Sequence, residues 1–150
     1  MTFDIADLRR EADAGSPVAQ TVLGICFLDG IDVGVNYQEA FRLLSAAAKQ
    51  GTSRSVVNLA RMYEEGLGVE KDMTEAIRLY KAVAKVEFFA QVALGRIYSS
   101  GKSVVADRNE ALRYYSLATE WGDRVVDARR CERQKSSSRD IRNSKKIHWW

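Results

Sequence analysis

Apolar residues recur along this chain at helical spacing, in segments broken by glycine. Ile5, Leu8 and Ala12 share one face of a helix predicted over residues 4–14. Gly15 ends that helix, because glycine tolerates the left-handed conformation at a helix C-terminus. Ser16 and Pro17 then open a second helix, as N-cap and first-turn residue. From this point the pattern repeats. Gly24, Ala60 and Gly95 are separated by 36 and 35 residues. Phe27, Tyr63 and Tyr98 keep the same spacing, as do Gly30, Gly66 and Gly101, and Ala40, Ala76 and Ala111. A period of this length predicts a helical solenoid, in which each unit buries its apolar face against its neighbours.

Each repeated position has a physical role. Leu23, Leu59 and Leu94 are predicted core residues of the first helix in each unit. The small residues beside them admit a second helix closely, and the aromatic residues one turn on are predicted to wedge between helices. Gly30, Gly66 and Gly101 stop the first helices. Asn36, Asp72 and Asp107 stand three residues before Glu39, Glu75 and Glu110, a pattern close to a capping box at the start of each second helix. These glutamates are therefore assigned to structure and not to catalysis. The stretch Lys85-Val86-Glu87-Phe88-Phe89 breaks the rule, having no glycine where Gly15, Gly51 and Gly122 mark the other junctions. A tighter turn is expected there.

Ala90-Gln91-Val92-Ala93-Leu94-Gly95-Arg96-Ile97-Tyr98, Gly66-Leu67-Gly68-Val69-Glu70-Lys71-Asp72 and Ala19-Gln20-Thr21-Val22-Leu23-Gly24 resemble units of the Sel-one-like repeat family, relatives of the tetratricopeptide repeats. The resemblance covers roughly residues 14–122. Asp32, Asn36 and Ser103 depart from it, the first and last standing at a loop glycine position. It implies an all-α, right-handed α-α superhelical solenoid of three helix pairs plus capping helices. The units are placed at about 16–51, 53–85 and 87–122 of a domain spanning 1–134. Residues 124–134 are read as a C-terminal capping helix in which Arg130 takes the core leucine position.

Charge divides the chain further. Residues 1–128 hold 15 basic and 18 acidic residues, whereas residues 129–150 hold 8 basic and 2 acidic. Residues 135–150 are accordingly expected to be a disordered basic tail. One proline fits a helical protein, and two distant cysteines, Cys26 and Cys131, make no disulfide framework. With no apolar leader and no membrane-length apolar run, a cytoplasmic protein that engages no membrane is expected.

The same inventory bears on chemistry. The sole histidine, His148, lies in the tail beside Trp149 and Trp150, so neither a metal site nor a cofactor is expected. Cys26 aligns with Met62 and Ile97 and reads as a buried apolar substitute; Cys131 aligns with the small-residue position. No enzymatic activity and no small-molecule substrate are expected. Nucleic-acid association would rest on the tail alone and is disfavoured. The resemblance implies instead an adaptor or scaffold that binds a protein or peptide through its concave face. By register that face takes Thr21, Ile25, Leu28 and Asp29 from the first unit, Val57, Arg61, Glu64 and Glu65 from the second, and Phe89, Val92, Arg96 and Ser99 from the third. A sharper alternative is a small immunity-type or regulatory protein that inhibits one toxin or enzyme. Phe88 and Phe89 sit in the irregular junction, where the pattern fits burial and exposure alike.

Overall fold

A computed structural model describes residues 4–120. The expected capping helix at 124–134, the tail at 135–150, Arg130, Cys131 and the His148-Trp149-Trp150 end lie outside these residues. Seven helices and no strand occur among them. They are α1 (Ile5–Asp13), α2 (Pro17–Asp29), α3 (Tyr37–Lys49), α4 (Ser53–Glu65), α5 (Met73–Val83), α6 (Phe88–Ser100) and α7, helical over 108–120. The architecture is all-α and repetitive, with α2/α3, α4/α5 and α6/α7 as successive pairs and α1 packed on α2.

Local chemistry sets the ends of these helices. Ser16 accepts from the Ala19 amide at 3.3 Å, with Pro17 in the first turn of α2. Gly30, Gly66 and Gly101 end the first helices with φ of 71°, 70° and 63°. Asn36, Asp72 and Asp107 accept from the amides of Glu39, Glu75 and Glu110 at 3.1, 3.0 and 3.0 Å. Only this half of the expected capping box forms. The N-cap amides donate to the carbonyls of Phe27, Tyr63 and Tyr98 at 2.9, 2.9 and 3.1 Å, and so are already occupied. The glutamates turn the other way and pair with Arg42, Arg78 and Arg113 one turn later. Those charge-assisted bonds hold the Glu39 and Glu75 carboxyls below the usual range.

Asp32 takes φ 57° in the first loop, matching the left-handed conformation of Gly68 in the second. Aspartate tolerates that region better than most residues. Ser103 in the third loop stays outside it.

The core runs through the stack as two clusters. Leu8, Leu23, Phe27, Leu43, Leu44, Leu59 and Met62 belong to the first, and Val57, Ala60, Tyr80, Leu94, Ile97 and Tyr114 to the second. Helix α4 contributes to both, with Leu59 and Met62 on one side and Val57 and Ala60 on the other. The small residues behave as their register requires. A Cβ on Gly24 would lie 2.8 Å from Leu44 Cγ, and one on Gly95 would lie 2.7 Å from the Tyr115 ring. Helix–helix contact at these points depends on the missing methyl group. Polar contacts seal the first junction, where the Gln50 amide donates to the Gly15 carbonyl at 3.1 Å and to Gln20 at 2.9 Å.

The third junction is built differently. Helix α5 stops at Val83, two residues shorter than its counterpart α3. The Val86 and Glu87 amides both close onto the Val83 carbonyl at 3.0 Å. This tight turn leaves Phe88 and Phe89 on the surface, 41% and 53% exposed, with their rings packed edge to face.

Candidate partner-binding groove

Helices α2, α4 and α6 stand side by side, and the groove between them encloses about 310 Å³. Half-buried Ile25 and buried Val57 form its apolar lining, with Asp29, Arg61, Glu64, Glu65 and Arg96 around them. Phe89 stands at the third-unit end.

Ion pairs between units order this surface. The Arg61 guanidinium of α4 reaches back to Asp29 of α2 at 3.0 Å and also meets Glu65 of its own helix at 3.2 Å. Burial works against the Arg61 charge, but the two carboxylates outweigh it. Arg96 of α6 reaches back in the same way to Glu64 of α4. Glu64 also accepts from the Tyr80 hydroxyl at 2.9 Å and is thereby fixed from two sides. Arg61 and Arg96 occupy equivalent positions, yet their acceptors differ by one place in the repeat. Glu65, the counterpart of Asp29, turns to its own helix instead. Partly exposed pairs of this kind contribute about 0–1 kcal/mol each to stability. Their effect on the surface is to hold long side chains in defined positions.

Eight of the twelve residues assigned by register line this groove: Ile25, Asp29, Val57, Arg61, Glu64, Glu65, Phe89 and Arg96. Thr21 and Leu28 do not; both pack into the stack away from it. The Thr21 hydroxyl is 2.7 Å from that of Ser55 and bonds the Pro17 carbonyl at the same distance. Leu28 joins the first core cluster. Val92 is half-buried beyond the groove, and Ser99 is exposed with its hydroxyl donated to the Arg96 carbonyl. Register also missed three lining residues, Arg54, Asn58 and Tyr80. Arg54 and Asn58 share the stripe of Val57 and Arg61, so extending the helical spacing toward the N-terminus of α4 finds them. Tyr80 comes from a second helix, and nothing local marks it as reaching the groove.

Burial and the neighbouring Glu64 carboxylate push the Tyr80 phenol well above the ordinary tyrosine value of about 10. An acid whose folded value is raised supports folding fully below its unfolded value, and that support is lost as pH rises beyond it. Alkaline titration followed at 295 nm should therefore show a late tyrosine step that coincides with loss of helical circular dichroism. Tyr80→Phe should shrink that step. Complete titration of all tyrosines in a still-helical protein would contradict this placement of Tyr80.

Of the two cysteines, Cys26 lies among the described residues. Burial, with Asp32 and Asp29 nearby, pushes the Cys26 thiol up, away from the thiolate a nucleophile requires. Among the described residues no helix is long and apolar enough to cross a membrane.

Comparison with known proteins matches this architecture. The Sel1 repeat model fits residues 17–52, 53–85 and 89–123. A Sel1 repeat protein from Oxalobacter formigenes is similar in structure, with a TM-score of 0.70 and 31% identity over 79% of this chain and 49% of the other. So is c5321, a protective antigen of uropathogenic Escherichia coli with the SLR fold, at TM-score 0.73 and 30% identity over 81% of this chain and 26% of the other. Mouse DAP3-binding cell death enhancer 1 is 35% identical over 77 residues, 51% of this chain. The chain aligns with only 15% of that relative's length. Three consecutive repeats, each with its glycine stop and its N-cap in place, make this chain a member of the Sel1 repeat family, whose repeats typically mediate protein–protein interaction.

Proposed function

We propose that the chain is a non-catalytic adaptor or scaffold that holds a protein or peptide partner in the groove between α2, α4 and α6. The observation that carries this reading is the pair of inter-unit arginine contacts. Arg61 and Arg96 are each tied to a carboxylate of the preceding unit, beside the apolar surface of Ile25 and Val57. Side chains ordered before binding lose less entropy when a partner arrives. Arginine beside apolar surface is also a favoured composition for binding anchors. The outer face has a different character: Glu39–Arg42, Glu75–Arg78 and Glu110–Arg113 repeat the same self-paired motif, leaving little to distinguish one unit from the next. One relative is named for binding another protein, which agrees with this class of function.

A photo-crosslinking residue placed at Asn58, inside the groove, should yield a partner adduct in the native cell. The same residue at Arg78, on the outer face, should not. An adduct from Arg78 alone, or from neither position, would place the interaction elsewhere. The test leaves the inter-unit pairs intact, whereas R96E would set a new carboxylate against Glu64.

A further inference from the structure

We propose that the segment bound in this groove is acidic and apolar: a carboxylate seated on Arg54 beside an aliphatic or aromatic side chain packed on Phe89. The inference rests on the groove being the binding surface and adds the chemistry of what it takes.

Every carboxylate lining the groove is already engaged. Asp29 and Glu65 accept from Arg61, and Glu64 accepts from Arg96 and Tyr80. Two of the three lining arginines are thereby satisfied. Arg54 is the third, and among the described residues it has no carboxylate within ion-pair distance. Glu87 at the start of α6 is a nearby acid, yet its carboxylate takes the Ser53 hydroxyl at 2.6 Å. The Arg54 guanidinium lies instead over the face of Phe89, 4.5 Å from the ring centroid. That contact orients the group while its N–H donors remain unspent on any acid.

The open valence of the groove is therefore one-sided. An incoming lysine or arginine finds no free carboxylate and must break an existing pair. An incoming aspartate or glutamate finds a charged, oriented fork of donors at no such cost. The apolar half of the preference comes from the irregular junction. Phe89 is 53% exposed beside Phe88, and the half-buried Ile25 adds apolar surface along the groove, with the buried Val57 behind it in the lining. A large exposed ring next to a pocket is a natural seat for a partner side chain. The same charge argument disfavours this chain's own residues 129–150 as occupant, since they carry 8 basic and 2 acidic residues.

Panning a phage-displayed random peptide library on the full chain tests this directly. The expected selection is enriched in Asp or Glu adjacent to Leu, Ile, Phe or Trp. Synthetic copies of the selected peptides should bind R54E at least about tenfold more weakly, the scale of a lost charged hydrogen bond, and R54K with an intermediate loss. F89A should weaken them as well, with circular dichroism unchanged in all three variants. Basic peptides that crosslink at Asn58 would overturn the acidic preference and leave the groove standing. So would acidic peptides that crosslink there but bind R54E as well as the parent. Peptides that bind without an adduct at Asn58 would overturn the groove itself, and a library yielding no binder would overturn both.

Discussion

Gly68→Ala is expected to destabilise the solenoid by roughly 2–4 kcal/mol, from left-handed strain and steric overlap together. Gly68 lies in the loop between α4 and α5 with φ of 71°. A methyl group there would lie 2.6 Å from Tyr37 Cβ and 3.2 Å from the Tyr37 carbonyl carbon and oxygen. Tyr37 opens α3, so the second unit's loop rests directly on the first unit's backbone. Backbone cannot move aside as the end of a flexible side chain can. Gly51→Ala provides the control, because Gly51 also has positive φ, 88°, but nothing lies within 4 Å of the added carbon. It should cost only the conformational part, about 1 kcal/mol. Urea unfolding of both variants measures the difference. Equal losses would mean that the loop does not bear on Tyr37.

Leu94→Ala should cost about 2–5 kcal/mol, the range for a leucine truncated in a packed interior. Leu94 has no exposed surface and sits among the Val57, Ala60, Tyr80, Ala90 and Ile97 cluster. In a solenoid each unit is stabilised by its neighbours, so the loss should remain near its origin. Hydrogen exchange should accelerate in α5, α6 and α7 while α2 and α3 keep their protection. Those two helices belong to the other cluster, and α4 connects the halves. Uniform acceleration from α1 to α7 would show instead that the repeats unfold as one unit.

The largest departure from the repeat rule lies at the turn between α5 and α6. A missing glycine at Lys85–Phe89 implied a tight turn, and the Val86 and Glu87 amides do close on Val83. The turn alone does not fix where the two rings that follow it lie. A sequence with two adjacent phenylalanines fits a buried wedge as well as an exposed pair. Their exposure depends on where α6 begins relative to α4, which sets Arg54 over Phe89.

The helices, their stops and caps, and the three-unit period all follow from local residue chemistry. These are effects of a single turn. Glycine at Gly30, Gly66 and Gly101 allows a left-handed residue, and Asn36, Asp72 and Asp107 each capture an amide three residues away. Packing between units sets which side chains of the first helices open onto the groove. One residue turns the helix by about 100°, so a small rotation of α2 is enough to send Thr21 and Leu28 inward while Ile25 and Asp29 face out. It also set Arg61 on Asp29 and Arg96 on Glu64, and brought Tyr80 to Glu64. Those contacts join residues 16 to 32 positions apart, where no local spacing rule operates.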